Sequence, residues 1–333
     1  MSFSTTISEQ FAVGFRLKSP NLETSHPWHL THLHADFFEL QAVFWFESDW
    51  LTSMNLVTHY KDVKRDIERK KTSDEVGSDS ASEDDTLNSH FVEIYLMIGE
   101  RSQLFKDDYP FELDITQSAL RLKKPLSEKN HLYIKLLLDS NLNCFPKFQG
   151  ELTKDFEKVA AMALESYLPN GKVKEFGKNS AYAGNTEKKI RALAAELNIE
   201  VREKEMLGLA KTAAQEKGLD LLTYLAFEDS NPSMIILLIQ CACGKNWDGK
   251  IGETKSYLAY LDFYKLYPIH SMFLPYALLN SEMTGFSQSE KLNDLLVFER
   301  KRIIDLIQNF EPFKKLNSYE VVLKSLEVEA AEV

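Results

Sequence analysis

Two apolar runs joined by a dense turn constrain this chain more than any other feature. They lie in KGLDLLTYLAFEDSNPSMIILLIQCACGKNWDGK, from Lys217 to Lys250. Leu219 to Phe227 is the first run, and Met234 to Cys243 is the second, too short and too β-branched for a helix. Between them Glu228-Asp229-Ser230-Asn231-Pro232-Ser233 is rich in turn-forming residues. The stretch therefore reads as an antiparallel hairpin within an apolar sheet. A turn centred near Ser230 and Asn231 puts Asp220 opposite Cys241, to within one residue, and Gln240 at the same end. A polar cluster inside such a sheet costs folding energy unless it is satisfied, which marks it as a candidate site.

The layout resembles the core of the PD-(D/E)xK, or restriction-endonuclease-like, nucleases. In these an Asp opens one strand, and a Glu or Gln, one residue and a Lys follow on the next. Gly218-Leu219-Asp220 and Gln240 match that pattern. Ala242 stands at the Lys position, and Lys245 and Lys250 lie just beyond it. QCACGKNW is similar to a subset of bacterial proteins of this superfamily that is often grouped with restriction and anti-phage functions. Upstream, Phe156-Glu157-x-Val159-Ala160-x-x-Ala163-Leu164 resembles the helix preceding the catalytic strands in the Mrr-like branch.

The resemblance implies an α/β (α+β) fold, with a central mixed β-sheet flanked by helices, and metal-dependent cleavage of DNA phosphodiester bonds. Glu157 and Asp220, with the backbone carbonyl of Cys241, would hold Mg²⁺ or Mn²⁺, because these ions prefer oxygen ligands. Gln240 would orient the metal shell or the attacking water, and Lys245 or Lys250 would offset charge on the phosphate. The plain alternative for Glu157 is a first-turn helix acid. Ala242 keeps a second expectation open: a nuclease fold without catalysis, acting as a nucleic-acid-binding or docking subunit. Such a subunit would serve a multi-protein defence complex with an ATPase or SMC-like partner, and a homo-oligomer is compatible with either reading.

The net charge of −11 argues against a nucleic-acid enzyme until its location is considered. Ser73 to Leu87 holds six acids and no base, and Tyr319 to Val333 holds four acids and one Lys. Without these stretches the body is near neutral, and local basic patches can meet a phosphate backbone. Lys172 and Lys174 on a short strand, with Lys188, Lys189 and Arg191 on the polar side of a helix over 187–197, are the candidate phosphate contacts.

No long uncharged apolar run indicates a membrane span, and MSFSTTISEQ does not read as a secretory signal. Three cysteines, Cys144, Cys241 and Cys243, suggest a reducing cytoplasm rather than a disulfide framework. Cys241 and Cys243 point the same way on a strand and read as packing. His26, His29, His32 and His34 cluster without a metalloprotease-type helical signature and read as structural or surface residues. A phosphate-binding glycine loop, a G-x-S-x-G elbow and H-E-x-x-H are all missing, which disfavours an unrelated small-molecule enzyme.

Residues 1–148 read as a mixed helical and strand region, with an arm around Phe11 to Phe15 and a disordered acidic loop over 72–88. Expected elements are a helix over 90–105, strands near 111–113 and 119–122, and a helix over 131–141. The nuclease-like domain spans 149–312, and 313–333 is an acidic tail with some helix. In the domain, Thr153 caps a helix reaching Tyr167. A strand at 172–177, a helix over 187–197, the hairpin and a helix over 250–261 follow. Next come a strand over 271–279 that Pro275 marks as an edge or bulge, a strand at 295–298 and a helix over 299–310. Trp247 is expected to pack over the hairpin end.

Overall fold

The computed structural model describes residues 2–12, 31–45, 50–52, 80–177, 180–209, 218–263, 266–287 and 289–328. The chain divides into two compact units: Met1–Gly150 with Tyr276–Gly285 and Leu316–Val333, and Glu151–Pro275 with Phe286–Lys315. His26, His29, the first part of the expected acidic loop and most of the arm near Phe11 to Phe15 lie outside the described residues.

The first unit carries α1 (Phe3–Gln10), α2 (Thr31–Val43), β1 (Leu51–Thr52), α3 (Ser80–Phe105), β2 (Phe111–Asp114), β3 (Ala119–Leu122) and α4 (Glu128–Ser140). Its three strands form an antiparallel sheet in the order β1-β3-β2. From Ser80 onward the expected acidic loop is helical. This helix is anchored further on by buried Phe91, Ile94 and Ile98. α2 is buried along almost its whole length, charged residues included. Arg101 of α3 meets Asp36 at 2.8 Å and Glu39 at 3.0 Å, and the Tyr109 and Tyr133 hydroxyls donate to Glu39. Buried charge survives when it is paired in this way.

The second unit carries α5 (Gln149–Tyr167), whose first two residues close the first stretch of the first unit, then β4 (Lys172–Glu175), α6 (Thr186–Leu197), β5 (Glu200–Val201), α7 (Glu203–Leu209), β6 (Leu221–Leu225) and β7 (Ile235–Cys241). α8 (Tyr257–Tyr260), β8 (Leu261–Asp262), β9 (Ile269–Phe273), α9 (Ser289–Leu292), β10 (Leu296–Phe298), α10 (Arg300–Leu306) and α11 (Glu311–Lys314) complete it, and α12 (Asn317–Ser325) returns to the first unit. The five-stranded sheet has the order β10-β9-β7-β6-β4. β4, β6 and β7 run antiparallel in succession, while β7, β9 and β10 are parallel. This is a mixed α/β sheet flanked by helices. The directions bring the ends of β4, β7, β9 and β10 and the start of β6 to one edge.

On one face Ile190, Leu193 and Leu197 of α6 share a core with Leu222 of β6 and Ile236 and Leu238 of β7. α5 lies over the other face, where Tyr167 meets Phe298 edge-on at 5.1 Å and Phe298 stacks on Phe273 at 4.3 Å.

Three expectations need correction. α5 begins at Gln149, so Thr153 is interior rather than its cap. Fully buried Leu152 extends the apolar stripe of Phe156 and Val159 back past Thr153. The stretch 250–261 is not one helix but two 3₁₀ turns, Trp247–Lys250 and Glu253–Ser256, followed by α8. Gly252, at φ 84°, breaks the helical path. β9 ends at Phe273, before Pro275, and lies between β7 and β10 rather than at an edge. The Leu274 N–H donates to the Phe298 carbonyl, after which Pro275 has no N–H to continue the ladder. Among the described residues no helix is long and apolar enough to cross a membrane.

Candidate functional site

The site grows from an irregular start to β6. Leu221 pairs with Ile239, which places Asp220 opposite Gln240, within one residue of the expected register. Leu219 and Leu222 both belong to the apolar core on the α6 side. Regular alternation would send residues three apart to opposite faces, so the chain is offset between them and Asp220 turns to the α5 side. Its backbone is fully engaged there. The N–H donates to the Ile239 carbonyl at 3.0 Å, and the carbonyl accepts from Phe176 and Gly177 at 2.7 and 2.9 Å. One carboxylate oxygen, Oδ2, accepts from the Cys241 N–H at 2.7 Å.

The other oxygen, Oδ1, faces Gly177. A Cβ at Gly177 would lie 2.9 Å from Asp220 Oδ1 and 3.3 Å from Glu157 Oε2. Two carboxylates therefore converge on a residue that has no side chain to separate them. Glu157 is 3% exposed and sits in the third turn of α5, not in a first turn where a helix acid would explain itself. The Cys241 thiol reports the same grouping: burial, then Asp220 and Glu157, push it well above its usual range, with Lys250 opposing.

Gln240 is engaged differently. Alternation sends it to the opposite side of β7 from Cys241. It is 4% exposed, and its Nε2 donates to Glu253 Oε2 at 2.6 Å. A carboxylate only accepts, so Glu253 fixes which way this amide points. Gly218, at φ 77°, makes room: a Cβ there would lie 2.4 Å from Glu253 and 3.1 Å from Gln240 Nε2. Glu157 and Asp220 are thus brought together, while Gln240 is held by a residue the sequence did not single out.

The bases are distributed otherwise than expected. Lys245 and Lys250 are exposed in the turns after β7, and Ala242 is fully buried. Lys189, expected on the polar side of α6, points inward. It is 9% exposed, with its ammonium 3.3 Å from the Phe176 carbonyl and 3.5 Å from that of Gly177. The sequence signal was present, since Lys189 precedes buried Leu193 by four residues on the helix. Lys174 pairs with Glu196 at 3.0 Å, and Arg191 meets Glu203 through two contacts of 2.7 Å and Glu187 at 3.0 Å. The Lys172 ammonium lies over the Tyr224 ring, and Lys188 is exposed. Two of the five expected phosphate contacts, Lys174 and Arg191, are therefore balanced by local acids.

At the same sheet edge, burial raises the Glu175 carboxyl, with Lys158 and Lys154 of α5 opposing. Trp247 is 2% exposed, which matches packing rather than base stacking. None of Cys144, Cys241 and Cys243 is joined in a disulfide.

Comparison with known protein families, with curated proteins and with solved structures finds no match. Among the described residues no group of three or more His, Cys, Asp or Glu is arranged to hold a metal ion. The pair Glu157 and Asp220 nevertheless suits a hard cation of the Mg²⁺ type, which binds through one or two carboxylates and keeps several waters. The bare Cα of Gly177 is what lets both carboxylates come this close to the same residue.

Proposed function

We propose that this protein is a metal-dependent nuclease that hydrolyses DNA phosphodiester bonds, with a restriction-endonuclease-like core in its second unit. The observation that carries the reading is the convergence of Glu157 and Asp220 on Gly177 at the sheet edge. The mixed sheet, the helix α5 that delivers Glu157 and the Asp220–Gln240 register support it. Mg²⁺ or Mn²⁺ would be held by Glu157, Asp220 and the Cys241 carbonyl; when bound, such an ion activates water and offsets phosphoryl charge. The chain's own part is to orient Asp220: the Cys241 N–H holds Oδ2 and leaves Oδ1 on the Glu157 side. Lys250, close enough to oppose the rise of the Cys241 thiol, is the exposed amine that can meet a phosphate. A role in bacterial restriction or anti-phage defence rests on the sequence resemblance alone, and a cytoplasmic location on the small number of cysteines.

A second reading, a non-catalytic DNA-binding or docking subunit with an ATPase or SMC-like partner, is favoured by two facts. Ala242 is fully buried, and Gln240 is tied to Glu253.

Linear, supercoiled and single-stranded DNA incubated with Mg²⁺ or Mn²⁺ separates the two. Wild-type cleavage that Asp220→Ala reduces at least about a hundredfold is expected for the enzyme. Equal DNA binding by both proteins without cleavage favours the subunit.

A further inference from the structure

We propose that Lys189 is the cation of this site, balancing the Glu157 and Asp220 carboxylates across the Gly177 peptide unit. The inference rests on the nuclease reading only for what the charge is used for.

α6 fixes the base of this side chain. Asn185 caps the helix through the Lys188 N–H at 3.1 Å, and Ile190, Leu193 and Leu197 anchor its inner face in the core. From there Lys189 reaches beneath the end of β4, to the carbonyls of Phe176 and Gly177 at 3.3 and 3.5 Å. Those are long contacts to neutral acceptors, and a side chain only 9% exposed needs more than that to keep a full charge. Gly177 is also where the two carboxylates meet, at 2.9 and 3.3 Å from the position a Cβ would take. Adjacent carboxylates repel one another, and a cation at the same peptide offsets that repulsion. Lys245 and Lys250 are exposed, and position 242 carries no amine. Lys189 is a positioning residue in this scheme: its charge offsets the repulsion between the two carboxylates and holds them in place at Gly177.

A cation in this place has a signature that a packing role lacks. Removing it should tighten divalent binding, because a competing positive charge is gone, while impairing cleavage. Lys189→Met keeps the stem and loses the charge, Lys189→Arg keeps the charge, and Lys204→Met, at an exposed position of α7, is the control. Calorimetry with Ca²⁺ should show binding about tenfold tighter in Lys189→Met than in wild type, with Lys189→Arg and Lys204→Met unchanged. The metal-free protein gives an independent readout. Lys189→Met should cost less thermal stability in an Asp220→Asn background than in wild type, because one of the charges it balances is gone. An equal loss in both backgrounds, with Ca²⁺ binding unchanged or weaker, would overturn the assignment. If wild type neither binds Ca²⁺ nor cleaves DNA, the nuclease reading fails, and the coupling between Lys189 and Asp220 still decides the role of Lys189. Should Lys189→Met not fold, Lys189→Gln carries the same comparison.

Discussion

Gly177 shows how much one residue can hold in place. Its N–H donates to the Asp220 carbonyl, its own carbonyl takes the Lys189 ammonium, and its bare Cα lets two carboxylates approach. An alanine there would put a methyl 2.9 Å from Asp220 Oδ1 and 3.2 Å from the Asp220 Cα. The carboxylate could swing aside, but the Cα belongs to a backbone held by three hydrogen bonds, so it would resist. Gly177→Ala is expected to cost about 1–3 kcal/mol of stability and to weaken Ca²⁺ binding at least about tenfold by displacing Asp220. Denaturant unfolding and calorimetry read the two effects separately. Wild-type Ca²⁺ affinity in this variant would mean that the acid pair is not the ion's site. Gly177 could be read in the sequence only as the end of a strand, because its importance comes from two acids that approach it from elsewhere in the chain.

Among the elements, α6 is tied to the sheet by a polar clasp on one side and an apolar stripe on the other. Glu196 accepts from Tyr182 at 2.6 Å, from Tyr224 of β6 at 2.5 Å and from Lys174 of β4 at 3.0 Å. Burial alone would raise its carboxyl, but the three donors outweigh burial and hold it below the usual range. A depressed carboxylate contributes stability that is present above its unfolded value, near pH 4, and is lost as pH falls through the folded value. Glu196→Gln should therefore destabilise the protein by about 1–3 kcal/mol at pH 7, and the difference from wild type should narrow toward pH 3.5. Unfolding midpoints across that range test it; a constant difference would assign the effect to packing. The hairpin β6–β7 was legible to within one residue of register, because alternation and turn chemistry are local properties. The inward turn of Lys189 was legible in principle from helical spacing but was masked by its charge. The hold of Glu253 on Gln240 was not legible, since it depends on Gly252 turning the chain at φ 84° just before Glu253. Nor was the central place of β9, because a parallel crossover leaves no local trace.

At the scale of the whole molecule, the path of the chain matters more than its order. The first unit is assembled from three separate stretches, the last of which begins at Leu316. Read as sequence, that stretch is an acidic tail with some helix, because its acids dominate composition. As structure, α12 buries Val321 and Val322 completely, and the Tyr319 ring meets His131 of α4 edge-on at 5.8 Å. Acids at Glu320 and Glu327 flank these apolar positions rather than replace them, so charge and core occupy different sides of one helix. A chain ending at Lys315 would strip this cover from α4 while leaving all five strands of the larger sheet intact. Each fully buried Val is worth roughly 1.5–3 kcal/mol, so the first unit should lose a large share of its stability. Hydrogen exchange resolves where the loss falls. Amides of α4 should lose protection in the shortened chain, while those of β6 and β7 keep theirs, and DNA cleavage should fall less than α4 protection does. Unchanged protection in α4 would show that α12 covers the first unit without supporting it.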